Sequence, residues 1–342
     1  MPCAPRDALR ASKPLPRIAS GSCSSRGFCV DIGFNSTGCQ THSHNKCSVC
    51  FVTPIAIRRA RPPLPCLAQS SLLVVGFHGV DRIPGTLDLR LIMDFMGPSL
   101  HDILRQLPRE SPPLPEATIR TAMWQLLTAA RKMHASCIAH RDVKPQNVLV
   151  SEGYSVVKIC GFGLAMSTDE RPPHQPAGRL WYVAPKMLLE KPDYDTQVDI
   201  WSLGCVMAEL INNGRPLFQG SHDQGAQLNA IFQVLGAPDN STWPWFLSTA
   251  FATAVTPPQL ADMQRENHLH ELFPETKLSK EGFEVLSGLL TCNPDKRLMA
   301  AAALEHPWFA KIDALELPNT MEVLSPLPKR RRIHHIHAVC VT

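Results

Sequence analysis

His140-Arg141-Asp142-Val143-Lys144-Pro145-Gln146-Asn147 is a charged stretch set between two strongly patterned segments. Before it, Glu116–Ala135 places Ile119, Met123, Leu126, Leu127, Ala130 and Met133 on one face at helical spacing, which predicts a long amphipathic helix. After it come two short apolar runs, Asn147–Val150 and Val156–Cys160, spaced like a hairpin. Further upstream, Leu72–Phe77 reads as a buried strand and Leu89–Phe95 as another, and Gly97-Pro98 then breaks the chain. Downstream, residues 171–177 read as a loop. Val198–Ile211 is almost wholly apolar and predicts a helix buried all round, capped by Thr196 and ended by Asn213-Gly214. Residues 237–279 read as long, irregular and Pro-containing, and Glu281–Leu290 and Met299–Glu305 as closing helices. Strands crowd the first half and helices the second, so the pattern predicts an α+β protein with a small sheet lobe and a large helical lobe.

The 342 residues are enough for two packed lobes, and a 44% hydrophobic content permits a sizeable core. A net charge of +4 is too small to point to a nucleic-acid partner. The length and the lack of a hydrophobic leader argue against reading the 12 cysteines as a secreted disulfide scaffold. No apolar run approaches the ~18 residues of a membrane span, so no membrane partner is expected. Residues 1–30, rich in Arg and Ser, read as a disordered leader, and the tail from Leu317 is Pro-rich and basic. The first glutamate of the chain is Glu110.

The charged stretch resembles the catalytic loop of protein kinases, H-R-D-x-x-x-x-N. The resemblance extends through Lys158-Ile159-Cys160-Gly161-Phe162-Gly163-Leu164-Ala165, which looks like a strand followed by a metal loop, and through Leu180-Trp181-Tyr182-Val183-Ala184-Pro185-Lys186 and Asp199-Ile200-Trp201-Ser202-Leu203-Gly204-Cys205. Leu235-Gly236-Ala237-Pro238-Asp239, Trp243-Pro244, Pro294-Asp295-Lys296-Arg297 and His306-Pro307-Trp308-Phe309 are similar to cyclin-dependent kinases in particular, most of all the divergent F-type proteins of plants. The likeness covers about residues 72–310. It implies a two-lobed kinase fold with a leader at 1–30, a reduced N-lobe at 31–96, a C-lobe at 97–310 and a basic tail at 311–342. It also implies ATP and Mg2+ as cofactors and a protein substrate phosphorylated on serine or threonine. Asp142 would orient the substrate hydroxyl, Lys144 steady the phosphate, and Asn147 ligate magnesium. Ile32, Gly33 and Gly38 would form the phosphate loop and Arg58 stand for the strand lysine. Asp94 and Met96 would offer hinge backbone to adenine, with Met93 behind them.

This sequence departs from the family pattern at several points. Gly161 stands where the family has the metal-binding aspartate, and Asn35 where it has the middle glycine of the phosphate loop. Arg58 replaces a lysine, and the glutamate that lysine pairs with cannot exist before Glu110. Arg59–Ser71 carries three prolines and is a poor substitute for the helix on which cyclins dock, so family-type cyclin binding is not expected. Lys186 replaces a glutamate that pairs with the arginine matching Arg297, so two cations are expected to face each other inside the large lobe. His174 stands at the activating phosphothreonine position, and Arg179 where a threonine contacts the catalytic aspartate.

Two lesser signals remain. Cys39, His42, His44, Cys47 and Cys50 have spacing that zinc would favour, with free thiols in a loose segment as the alternative. Lys329-Arg330-Arg331-Arg332 resembles a nuclear import signal, pointing to nucleus and cytoplasm, with a solvated basic tail as the alternative. The sequence thus leaves two functional readings open. One is a cyclin-dependent-kinase-like serine/threonine kinase with impaired catalysis. The other is a pseudokinase that serves as a binding or scaffold module, or the product of a decaying gene.

Overall fold

The computed structural model describes residues 73–82, 89–93 and 96–312, except 109, 152–155, 170–177, 192, 194, 222 and 264–266, together with short strands between residues 41 and 52. Ile32, Gly33, Gly38, Arg58, Asp94, His174, Arg59–Ser71 and Lys329–Arg332 lie outside the described residues, as do Cys39 and His44 of the cysteine-histidine cluster.

Strands β1 (Thr41–His42) and β2 (Cys47–Ser48) pair with each other. A three-stranded antiparallel sheet follows, β3 (Cys50–Val52), β4 (Phe77–Arg82) and β5 (Leu89–Met93), with β5 in the centre. The strand expected at Leu72–Phe77 therefore starts only at Phe77. Val74 ahead of it makes a single parallel bridge to Ile159, and Val74 and Val75 are buried there. That burial, with the backbone hydrogen bonds that Leu73 and Val75 make to Ile159, accounts for the apolar run ahead of the sheet.

The rest is mostly helical. Helix α1 (Leu100–Gln106) opens with a capping box between Ser99 and Asp102. Helix α2 spans Glu116–Ala135, as its periodicity predicts, and buries Ile119, Met123, Leu126, Leu127, Ala130 and Met133. Strand β6 (Ile138–Ala139) leads into the 140–147 loop. The hairpin β7 (Val148–Val150) and β8 (Val157–Ile159) follows, in register Val148↔Ile159. Strand β9 (Met166–Ser167) returns to pair with β6. Next are α3 (Pro185–Leu188) and α4 (Gln197–Ile211). Every residue of α4 from Val198 on is buried, as its composition demands. Its N-terminus differs from expectation: the Thr196 side chain makes no cap hydrogen bond, and Asp195 Oδ1 accepts from Gln197 N instead, at 2.9 Å.

The stretch expected to be irregular follows α5 (Gln224–Leu235) and contains a turn of tight helix at Pro244–Ser248 and three short helices. These are α6 (Ala250–Ala254), α7 (Pro257–Met263) and α8 (Leu269–Leu272). Phe232 packs edge-on to both Phe246 and Phe251, which lie tilted against each other, so tertiary burial supplies what short-range periodicity lacks. Helices α9 (Lys280–Leu289) and α10 (Ala300–Leu304) close the fold. Glu116 ties the first long helix to the last elements: its carboxylate accepts from Ser279 N at 2.9 Å, from Ser279 Oγ at 2.6 Å and from the Trp308 indole. The arrangement is α+β, a small sheet and a large helical body. No described helix is long and apolar enough to cross a membrane.

Lys186 on α3 and Arg297 are both buried, at 4% and 3% exposure. Arg297 satisfies its guanidinium on backbone carbonyls, from Nε to Thr291, Nη1 to Gln197 and Nη2 to Cys292, at 2.7–3.0 Å, and lies over the Trp201 ring. The carboxylates of Asp195 and Asp295 act on both cations, so the two cations share counter-charges. Burial nevertheless holds the Lys186 ammonium below its ordinary pKa of 10.5, despite the opposing pull of Asp195 and Asp193. A base whose folded pKa is depressed binds fewer protons folded than unfolded, so its penalty shrinks as pH rises toward the ordinary value. Lys186→Met is therefore expected to raise stability at neutral pH by about 1–4 kcal/mol. Its margin over the parent should narrow as pH climbs toward 10.5. Calorimetric melts across that range check it, and an unchanged or lower Tm for Lys186→Met at neutral pH would refute it.

Candidate active site

The 140–147 loop is hung from one buried carboxylate. Asp199, near the start of α4 and 0% exposed, accepts from the backbone N–H of His140 and of Arg141, each at 2.8 Å. The His134 ring lies against the same carboxylate, Nε2 to Oδ2 at 3.0 Å. Burial pushes the Asp199 carboxyl upward, but the hydrogen bonds and neighbouring imidazoles win, so it titrates below the ordinary carboxylate range. Arg141 adopts φ +67°, a left-handed bend that turns both N–H groups onto this acceptor. His140 braces the loop from within. Its Nδ1 accepts from Asp142 N at 3.2 Å, which leaves Nε2 to donate to the Cys160 carbonyl at 2.8 Å. The ring also packs edge-on to Phe162 at 4.8 Å.

That frame brings Asp142, Lys144 and Asn147 together. Lys144 Nζ donates to both Asp142 oxygens, at 2.9 and 2.8 Å. Asn147 Nδ2 donates to the Asp142 carbonyl at 2.7 Å and to Oδ2 at 2.9 Å. Asp142 and Asn147 are buried, and Lys144 is half-buried. Across from them, Gly161 takes φ +82°. A Cβ there would stand 2.5 Å from Asn147 Cγ and Oδ1 and 2.7 Å from Nδ2. The Asn147 amide therefore fills the volume that a side chain at 161 would need.

The next segment closes over the loop. Gly178, at φ +91°, runs so near that a Cβ would be 3.0 Å from Asp142 Oδ1 and from the Arg141 carbonyl. The exposed Arg179 lies over the Trp181 ring, 4.3 Å from its centroid. The Trp181 indole donates to the Gly220 carbonyl at 3.1 Å. Tyr182 OH donates to Glu209 Oε2 on α4 at 2.7 Å, and its carbonyl accepts from Ser202 Oγ at 2.7 Å. Burial raises the Glu209 carboxyl to about 7, with the Tyr182 hydroxyl opposing. Of the residues expected at the adenine, Met96, half-buried beside Gly97, and Met93, at the end of β5, lie within the described residues. Sequence reading missed Asp199 and Glu209 as anchors. An acid embedded in an otherwise apolar helix was the available signal, because a buried carboxylate must find partners.

Comparison with known proteins gives the same picture. The model of the protein kinase domain matches residues 80–309. Over 231 residues the chain is 43% identical to cyclin-dependent kinase F-2 of Oryza sativa subsp. japonica, covering 65% of this chain and 66% of that protein. It is 36% identical over 247 residues to cyclin-dependent kinase G1 of Arabidopsis thaliana, covering 71% of this chain and 39% of that one. It is 36% identical over 254 residues to cyclin-dependent kinase 2 of Caenorhabditis elegans, covering 72% of this chain and 67% of the relative. The chain thus spans between roughly two fifths and two thirds of these relatives. With its asparagine-braced aspartate loop, matched domain and relatives of this kind, the chain belongs to the protein kinase family, among the cyclin-dependent-kinase-like members.

Proposed function

We propose that this chain is a cyclin-dependent-kinase-like protein with impaired phosphotransfer, acting as a protein-binding module built on the kinase large lobe. The observation that carries the reading is the state of Asn147 and Gly161. Family members use ATP and magnesium, and a hard cation of that kind needs several oxygen ligands, carboxylates among them. Gly161 brings no donor. Asn147 turns its Nδ2 onto Asp142, and Lys144 occupies both oxygens of the remaining carboxylate. These residues do not fit a magnesium ion, so no chemical step is routed through one. The same contacts shield Asp142 from a substrate hydroxyl, with Gly178 against its other side.

Nucleotide affinity is accordingly expected to be weak and nearly independent of magnesium. Thermal shift of the purified chain with ATP, with and without Mg2+, measures this. A clear magnesium-dependent rise in melting temperature would sink the proposal.

A further inference from the structure

Two helices end at one cavity. Helix α5 stops at Leu235, and α9 stops at Leu289 with Leu290 as its cap. Leu235 and Leu290 both line a cavity of about 330 Å³ that shares no lining residue with the 140–147 loop or the 178–182 segment. Hydrogen bonds hold its walls together. His268 N donates to the Val234 carbonyl at 2.8 Å, Leu298 N to the Gly288 carbonyl at 3.0 Å, and Asn293 Nδ2 to the Thr242 carbonyl at 2.8 Å.

The lining is rich in acceptors. A helix leaves its last carbonyls without partners in its own turns, and that end carries partial negative charge. Among the described residues, the carbonyls of Leu235 and Leu290 accept no hydrogen bond. Asp239 adds a full charge. Its Oδ1 accepts from Ser241 N, Ser241 Oγ, Thr242 N and Thr242 Oγ1 at 2.8–2.9 Å, which fixes the carboxylate in place. Its Oδ2 accepts from none of the described residues. The bonds from Thr242 and Ser241 hold the carboxyl down to about 2, so it is ionised at neutral pH. The cation of the lining, Lys296, is exposed and donates to the Ser241 carbonyl at 3.3 Å. Pro238, Trp243 and Leu269 supply apolar wall.

Acceptors beside an aromatic wall suit a flat, donor-rich cation on an apolar stem. A guanidinium meets that description better than an ammonium, because it is planar, carries more donors, is more weakly hydrated and stacks on rings. We propose that this cavity binds an alkyl guanidinium, the group an arginine side chain carries, with Asp239 and the Leu235 and Leu290 carbonyls as acceptors and Trp243 as the apolar face. The inference does not depend on impaired phosphotransfer.

The test is saturation-transfer NMR titration of the full chain, without nucleotide, using butylguanidinium, butylammonium and the neutral isostere butylurea. Butylguanidinium is expected to bind at least about tenfold more tightly than butylurea, and more tightly than butylammonium. Asp239→Asn keeps an acceptor for the turn and should lose about threefold, and Asp239→Lys should lose more. Lys296→Gln should tighten binding. Ser287→Phe, which puts a ring into the lining, should abolish it. Glu275→Gln removes an exposed acid outside the lining and should change nothing. A melt is recorded for each variant, and if Ser287→Phe does not fold, the Asp239 pair decides. Replacing all of Lys329–Arg332 with Ala in the full chain separates two sources of the ligand. Tighter butylguanidinium binding then means that the chain's own tail competes for the cavity, and unchanged binding means that the arginine belongs to another molecule. Equal affinity for butylurea would overturn the proposal. So would an unaltered Asp239→Lys, or a loss in Glu275→Gln equal to that in Asp239→Asn.

Discussion

Asp199→Ala is expected to lower stability by about 3–5 kcal/mol, enough to take the melting temperature down by about 10 °C in a domain of this size. The carboxylate is wholly buried and serves three donors: the backbone N–H of His140, that of Arg141, and the His134 ring. Truncation leaves the two loop N–H groups buried without an acceptor, at about 1–3 kcal/mol each, and frees the half-buried His134 ring. Arg141 also sits at a positive φ that the lost hydrogen bonds helped to hold, so the loop should relax and Asp142 with it. Asp199→Asn is the informative companion. It keeps the shape and one acceptor but turns an amide N–H2 toward a backbone N–H, so it should recover only part of the loss. The carboxyl titrates below its ordinary value, so its stabilisation is present above that value and fades as pH falls through the lower, folded pKa. The Ala variant should therefore show a flatter acid limb. A melting temperature within about 2 °C of the parent would show that the loop does not hang from this residue.

How much of this was legible beforehand depended on the range of the interaction. Helix α2 could be read to the residue because six apolar side chains repeat on one face and a long helix averages out local noise. The β7–β8 hairpin followed from two apolar runs at close spacing. The Asp142, Lys144 and Asn147 grouping followed from a contiguous motif, since a single tight loop fixes all three. The short helices between residues 250 and 272 escaped, because four to seven residues carry too little periodicity and an aromatic cluster holds them from below. The Glu116 link escaped as well: its partners Ser279 and Trp308 lie 163 and 192 positions away. For Lys186, reading the charges alone gave two cations in conflict. Only the fold reveals that Asp195 and Asp295 act on both, leaving burial as the dominant penalty.

Gly161→Asp is expected to create a magnesium response without creating turnover. The new Cβ would collide with Asn147 at 2.5 Å, so the amide must swing out of the volume it now fills. That displacement breaks its hydrogen bonds to the Asp142 carbonyl and Oδ2 and should cost about 1–3 kcal/mol in the ligand-free protein. The positive φ at 161 adds strain, which aspartate tolerates better than most side chains. In return the site gains a carboxylate facing a freed Asn147 oxygen, a donor set that suits a hard cation. ATP with Mg2+ should then raise the melting temperature clearly more than ATP alone, whereas the parent shows little difference. Phosphorylation of a generic protein substrate should stay near background, because metal, phosphate anchor and lobe closure act as a unit. No glutamate precedes Glu110 to pair with a strand cation, so Gly161→Asp combined with Arg58→Lys should fare no better. The decisive contrast is between binding and turnover in the same preparations. If the parent chain phosphorylates the substrate robustly, and Asp142→Ala abolishes the signal, then catalysis survives here by a route that does not need a carboxylate at 161. The impaired reading would then be wrong.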